Sequence, residues 1–494
     1  MTQTLAIGEI ERRAIRGIGW AGLETWGSQL LKFFIYIVLA RLVGPEAFGL
    51  IALASVFISF IEILVHQGFG LALIQRKDPE PSYIDTAFWL NIIAGILFAI
   101  GTMAFAPLIA RLFGDPELER VLRYLSLAFV LVGCSRVPQA LLTRSMEFKA
   151  LAVRSLVAAA CGGLVGIVLA YHGWGVWSLV AQQLISSAVG LIVLWTAVPW
   201  RPRFQASATH ARTLYSFALS ILGNNILWFF CQRFDQTVVG YYFGNVSLGA
   251  YALAAKTTDM VLSAIVTPVS NVATPAFSHL QNDRKALEAS FKQSTQLMSA
   301  VCLPAFAGML ALAPDIVPVI FGQKWILAVP YFRAFCIYGM MRGALGLAHP
   351  VFIAVGRPGV YLGQFVQLTV FTVIGCLVGA LWGAEVVAWA LSGALLLHAV
   401  IYIFVLSAVS GIRVMTTLRA VGRPVGPALS MALVVECLRR LTLDWFSPIG
   451  RLGALVMVGV GLYAVFARRL MPDLMQILRR VREGGSSKAS VLED

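Results

Sequence analysis

The sequence predicts an all-α polytopic membrane protein of about 14 transmembrane helices. Two six-helix lobes are related by a pseudo-two-fold repeat, and a C-terminal helix pair follows them. The apolar content, the distribution of Lys and Arg between loops and an internal repeat predict this fold. Of 494 residues, 59% are apolar and 13% are charged, whereas an ordinary globular chain is roughly 25% charged. So few charges cannot cover soluble domains of this length, so we expect a protein of the bacterial inner membrane.

Apolar runs of ~20 residues between polar breaks give the spans in chain order. The first is too long and too rich in Trp to be a cleaved signal peptide. We predict spans at 17–40, 47–74, 87–111, 121–142, 153–172, 175–198, 214–242, 248–273, 294–313, 327–352, 360–381, 386–409, 425–443 and 449–467. Residues 468–494 are then predicted to form an amphipathic segment on the cytoplasmic leaflet, followed by a disordered tail.

Loop charge predicts the orientation of the spans. Loops on one side hold 24 Lys and Arg residues, and loops on the other side hold 8. Cytoplasmic loops are the richer ones, and an even number of spans places both termini on that side. Most of the net charge of +14 therefore reflects topology, and no nucleic-acid partner is predicted.

An internal repeat predicts the lobes. Residues 42–55 read LVGPEAFGLIALAS and residues 242–255 read YFGNVSLGAYALAA, while APLIARLFG (106–114) is similar to APDIVPVIFG (313–322). The two matches occur in order at nearly the same spacing. We therefore predict an N-lobe at 1–200 with spans 1–6, a C-lobe at 201–412 with spans 7–12, and terminal spans 13 and 14 at 413–467. Repeats of parallel topology are typical of secondary transporters, whose substrate site lies between the repeats.

The predicted spans hold ionisable residues at repeat-related positions. Glu24, Ser28 and Lys32 share one helix face, and a shift of 200 places Asn224, Trp228 and Gln232 at the same positions. Such residues usually face a cavity or a partner. We predict a hydrated, weakly cationic chamber for an anionic ligand, with structural ion pairs as the alternative for each residue. The candidate substrate-binding residues are Lys32, Arg136, Arg233, Lys256, Arg342, Glu24, Asn224, Asn225 and Gln232.

Carboxylates in the same spans are candidates for coupling transport to an ion. Burial favours protonation of a carboxylate, so Glu62, Asp235 and Asp259 are predicted H⁺ or Na⁺ sites. No metal or other cofactor is predicted, because the Cys and His residues show no ligand spacing. The sequence also lacks a P-loop and a nucleophile elbow. These observations favour transport over catalysis.

Residues 40–90 carry a resemblance to a known family. The segment contains Arg41, Leu42, Gly44, Pro45, Phe48, Gly49, Gly68, Gly70, Ala72, Ile74, Gln75, Arg76, Lys77, Thr86, Ala87, Phe88 and Trp89. It resembles the oligosaccharide flippases of the polysaccharide transport family, the Wzx/WzxC-like branch of the MOP exporter superfamily. The stretches at 107–118, 137–151 and 173–184 look like later landmarks of the same family. Related sequences often have Asp where this chain has His66.

The resemblance implies that the protein moves an undecaprenyl-pyrophosphate-linked oligosaccharide from the cytoplasmic to the periplasmic leaflet by alternating access. Exopolysaccharide, capsule or O-antigen assembly would use the product, and partners would be membrane lipid and the polysaccharide polymerase machinery. The candidate cations would receive the diphosphate, while Glu24, Asn224, Asn225 and Gln232 would bond sugar hydroxyls. The alternatives are a lipid II flippase, a MATE-type multidrug exporter with an acidic chamber, and a membrane polysaccharide polymerase or ligase with a long periplasmic loop.

Overall fold

A computed structural model describes residues 26–66, 69–76, 79–441 and 447–470. Within these ranges the regular secondary structure is helical, without β-strands. The α-helices α1 to α16 are Ser28–Val43, Pro45–His66, Phe69–Gln75, Pro81–Phe113, Pro116–Leu125, Leu127–Arg144, Phe148–Tyr171, Val176–Ala197, Ala208–His279, Arg284–Phe321, Val329–Leu345, Ala348–Ala354, Pro358–Gly379, Ala384–Ser410, Val414–Leu441 and Pro448–Leu470. A 3-10 helix, Gln323–Ala328, lies between α10 and α11.

Twelve segments of the described chain are long and apolar enough to cross a membrane. One of them, Asn225–His279, has 55 residues and is interrupted at Gly244 by non-helical backbone. It contains predicted span 8 and span 7 from residue 225 onward, and α9 as a whole contains both. Predicted span 1 begins at residue 17, outside the described residues, and only its second part is seen, in α1. The twelve segments therefore agree with the fourteen predicted spans, and the all-α polytopic fold class is confirmed. The protein is a multi-pass membrane protein.

The chain divides into two compact units, the first ending at Ala252 and the second beginning at Leu253. We call them unit 1 and unit 2. The division falls inside α9. The predicted lobe boundaries at 1–200 and 201–412 stay a prediction.

The backbone conformation at the turns shows the internal repeat. Gly44 has φ 95° and Gly244 has φ 76°, and each ends one membrane-spanning helix immediately before the next begins. Side chains disfavour positive φ, so glycine is suited to both breaks. Three further pairs of positive-φ residues recur about 210 residues apart: Gly114 and Gly322, Met146 and Gly356, and Gly175 and Gly383. The repeat predicted from the sequence is therefore present in the backbone conformation of the turns.

Within unit 1, helix α2 crosses the second part of α9 at two glycines. A Cβ atom on Gly49 would lie 1.8 Å from the backbone oxygen of Asn245, and a Cβ on Gly249 would lie 1.9 Å from that of Pro45. Residues 45 and 245, like 49 and 249, are related by the repeat. The contact is therefore reciprocal, and the local pseudo-two-fold axis passes between the two glycines.

Segment 198–207, which joins α8 to α9, is held against the first turns of α4 by hydrogen bonds and ring stacking. Trp89 Nε1 donates to the backbone oxygen of Arg203 at 2.9 Å, and the Trp89 ring stacks on Phe204 with centroids 4.6 Å apart. The backbone nitrogen of Ser207 donates to Thr86 Oγ1 at 3.0 Å. Thr86 and Trp89 belong to the family landmark, so this part of the motif has a structural role.

In unit 2, buried ion pairs join the terminal helices α15 and α16 to α10. Asp315, which is 3% exposed, accepts a hydrogen bond from Arg451 and lies 3.7 Å from Arg439 Nη1. Arg439 also binds Glu436 at 2.8 Å. An apolar cluster around Leu303, Met431 and Leu455 continues the same interface. The terminal helices α15 and α16 therefore pack on α10 of the same unit through both apolar and charged contacts.

Candidate substrate-binding site

Three helices of unit 1 bring polar side chains to one level of the predicted membrane. Glu62 on α2 and Arg136 on α6 are close enough for their opposite charges to attract. Two residues before Glu62, the Phe60 ring packs on Phe229 with centroids 5.0 Å apart. Asn225 precedes Phe229 by one turn of α9 and so lies within about one turn of this level. We call Glu62, Arg136 and Asn225 the polar level of unit 1.

Two members of the polar level present hydrogen-bond donors that the protein leaves unused. Arg136 Nε and Asn225 Nδ2 are buried and have no hydrogen-bond partner among the described residues. A buried polar group left without a partner costs about 1–3 kcal/mol, and native structures contain few of them. Both groups are donors, so a ligand rich in acceptor oxygens would satisfy them.

Further along α9, the predicted residues are tied to the helix itself. Gln232 lies two turns after Asn225 on the same face. Arg233 donates to the side chain of Gln236 at 3.4 Å. Asp235 is buried and accepts a hydrogen bond from the Tyr251 hydroxyl at 2.7 Å. The Asp235–Tyr251 bond connects the two parts of α9 across the break at Gly244, which is a structural role for a residue predicted to couple ions.

The other predicted residues are spread along both units. Lys32 is exposed on α1 of unit 1, and Lys256 and Asp259 are exposed in unit 2. Arg342, also in unit 2, donates to the Tyr338 hydroxyl at 2.9 Å. The predicted residue Glu24 lies outside the described residues, and the side chain of the predicted residue Asn224 is not described. The same holds for the side chain of His66, the position at which related sequences often have Asp. The nine-residue site and the ion-coupling role of Glu62, Asp235 and Asp259 stay predictions.

Asp85 is a buried carboxylate that the sequence reasoning missed. It is 1% exposed, and neither of its oxygens has a hydrogen-bond partner within the described part of the chain. The predicted span began at 87, which left Asp85 in a loop, but α4 begins at Pro81. Proline is favoured at the first turn of a helix, and that signal would have moved the start of the span before Asp85.

Comparison with known proteins adds three findings. The profile of the family described as "Polysaccharide biosynthesis protein" matches residues 38–330. The succinoglycan biosynthesis transport protein ExoT of Rhizobium meliloti (strain 1021) is 30% identical over 335 residues, covering 68% of this chain and 67% of that protein. The lipopolysaccharide biosynthesis protein WzxC of Escherichia coli (strain K12) is 25% identical over 339 residues, covering 67% of this chain and 68% of that protein.

Among solved structures, the fold is similar to that of the lipid II flippase MurJ in an inward closed conformation. The TM-score is 0.77, and the match covers 92% of this chain and 99% of that one at 15% sequence identity. At this identity the likeness concerns the fold alone.

Proposed function

The chain belongs to the family of polysaccharide biosynthesis proteins, and we propose that it is a flippase that moves a lipid-linked oligosaccharide across the membrane. The resemblance predicted from residues 40–90 is thereby confirmed. The relative ExoT is named as a transport protein, which points to a transporter rather than a catalyst. The substrate of such a protein has an acidic, hydroxyl-rich headgroup and an apolar tail.

The observation that carries the proposal is the pair of unused donors at the polar level. An oligosaccharide diphosphate cannot cross ~30 Å of hydrocarbon unaided, because its polar groups would lose water without replacement. Arg136 Nε and Asn225 Nδ2 offer hydrogen bonds inside membrane-spanning helices. Phosphate oxygens suit the guanidinium of Arg136, and sugar hydroxyls suit the amide of Asn225. Glu62 attracts the Arg136 guanidinium electrostatically, and Arg136 Nε has no hydrogen-bond partner among the described residues.

We also propose a lipid carrier, a direction of transfer and a driving force. The carrier is undecaprenyl pyrophosphate, and transfer runs from the cytoplasmic to the periplasmic leaflet of the bacterial inner membrane by alternating access. The bias of Lys and Arg between loops supports cytoplasmic termini. A polysaccharide polymerase in the periplasm uses the product for exopolysaccharide, capsule or O-antigen. An H⁺ or Na⁺ gradient drives the cycle.

Deletion of the gene, followed by analysis of lipid-linked intermediates, tests the class of substrate. We expect polymer to disappear and undecaprenyl-linked oligosaccharide to accumulate facing the cytoplasm. Accumulation of lipid II with cell lysis would instead assign the lipid II flippase, and drug sensitivity with normal polymer would assign a multidrug exporter. Polymer of normal amount and length without the protein would refute the proposal.

Complementation of the deletion tests the polar level. Removing Arg136 alone leaves Glu62 as an uncompensated buried charge, which is strongly destabilising. The double variant Glu62→Gln, Arg136→Gln removes the cation together with the carboxylate, so neither charge is left without its partner; Glu62→Gln alone, which keeps the cation, is its companion variant. We expect the double variant to reach the membrane in normal amount and fail to restore polymer. The control Arg123→Gln alters an exposed ion pair with Glu119 and should restore it. Full polymer from the double variant would exclude Arg136 from the site.

A further inference from the structure

Unit 2 contains a cluster of imidazole and phenol rings outside the predicted substrate-binding residues. His349 on α12 lies against Tyr361 on α13, with ring centroids 4.0 Å apart. His398 and Tyr402 on α14 lie 5.0 Å apart, and Tyr402 also contacts Phe352 at 5.4 Å. We call these residues the imidazole cluster. Ionisable residues inside membrane-spanning helices are rare and usually functional.

Two polar atoms at this cluster lack hydrogen-bond partners in the part of unit 2 that the structure describes. They are Nδ1 of His398, a residue 7% exposed, and Oε1 of Gln364, a residue 9% exposed. Gln364 lies on α13, which runs antiparallel to α14. Gly375 faces Ala390 and Gly379 faces Val387 across the two helices. The same register places Gln364 level with Tyr402, one turn from His398.

We propose that His398 is a proton-binding site that couples substrate transfer to an H⁺ gradient. The proposal rests on the proposed transport function and adds a coupling residue to it. A proton adds to the Nδ1 lone pair of the neutral imidazole and forms an N–H donor. Oε1 of Gln364, one turn away along the neighbouring helix by this register, is the acceptor that we assign to that hydrogen bond. One proton thus satisfies two buried atoms, and no other bond forms or breaks.

The surroundings of His398 favour a proton over a metal cation. Titratable or charged groups on the packed elements include Tyr402 on α14 itself, Tyr361 on α13, His349 on α12, and Arg333 and Arg342 on α11, of which Arg342 is bonded to Tyr338. Helix α15 follows after the turn at Gly411 and carries Arg419, Arg423, Glu436, Arg439 and Arg440. The acidic residue of α14 is Glu385, in its first turn. An imidazole nitrogen binds a proton, whereas Na⁺ needs oxygen ligands.

Histidine NMR of the purified full-length chain reads protonation without any transport. One imidazole signal, absent from His398→Gln, should titrate within the pH range over which the purified protein stays folded. His279→Gln, which changes an exposed histidine, should leave that signal in place. A His398 signal that does not change across the range would overturn the proposal, whether or not the protein transports.

Reconstituted vesicles with a fluorescent undecaprenyl-linked oligosaccharide test the coupling. In the wild type and in His279→Gln, a pH gradient should raise the initial rate several-fold. In His398→Gln the ratio of rates with and without the gradient should fall to unity. Gln364→Leu, which keeps the imidazole, should need a more acidic compartment for the same response. A full pH response in His398→Gln, or a response to Na⁺ alone in the wild type, overturns the proton site. Absence of transfer by the wild type, despite a titrating His398, counts against the flippase function instead.

Discussion

Replacing Gly49 with Ala tests the reciprocal crossing of α2 and the second part of α9. The new Cβ would lie 1.8 Å from the backbone oxygen of Asn245, and ordinary contact begins at 3.4 Å. A gap of about 1.6 Å must therefore open. Because the obstacle is backbone, no side-chain rotation can relieve it, and the two helices have to separate. Overpacking of this kind costs about 1–3 kcal/mol.

A matched control separates crowding from helix propensity. Gly101 lies within α4, and a Cβ there would meet no heavy atom within 4 Å. Gly101→Ala should therefore gain the ~0.5–1 kcal/mol by which Ala exceeds Gly in a helix. At roughly 2–4 °C per kcal/mol for a unit of this size, Gly49→Ala should melt below the wild type and Gly101→Ala slightly above it.

Each variant is purified in detergent and heated to a series of temperatures, and size-exclusion chromatography then measures the fraction that is still monodisperse. The temperature at which half remains gives the shift in melting temperature of each variant. The double variant Gly49→Ala, Gly249→Ala should lose less than the sum of the single losses, because the separation forced by one Cβ makes room for the other. If Gly49→Ala melts at or above the wild-type temperature, or if the two losses simply add, the reciprocal backbone contact is wrong.

Three further predictions concern the buried carboxylates and segment 198–207. Asp315→Asn removes the buried carboxylate that Arg439 and Arg451 share and should cost about 3–5 kcal/mol; in melting experiments Glu119→Gln, at a more exposed pair, should change little, and equal melting temperatures would contradict this. Asp85→Asn should raise the melting temperature, because a neutral amide is less costly to bury than a carboxylate that no described residue hydrogen-bonds; a decrease would show that the charge is used. Trp89→Phe removes the hydrogen bond to the backbone oxygen of Arg203 and should speed tryptic cleavage at Arg203, whereas Trp174→Phe, at an exposed ring, should leave the cleavage rate unchanged.

The number and order of the membrane-spanning helices followed from local composition. Hydrophobic length and charge are properties of each segment, so predicted spans and observed helices agree over most of the chain. The breaks at Gly44 and Gly244 were also marked in the sequence, since the repeat aligned these glycines before the backbone showed their positive φ. Helix starts were less accurate. The start of α4 at Pro81 moved Asp85 from a predicted loop into a buried position.

Partnership between side chains was decided by tertiary structure alone. The sequence placed Glu62 and Arg136 in separate spans, and only the packing of α2 and α6 brings their charges together. Asp235, like Glu62, is a carboxylate within a predicted span, but it accepts a hydrogen bond from Tyr251. His398 belonged to no sequence motif. Hydropathy along the chain is set by each residue and its neighbours in sequence. Whether a lone pair or an N–H finds a hydrogen-bond partner depends on atoms that distant helices bring to it, so this is decided only once the helices have packed.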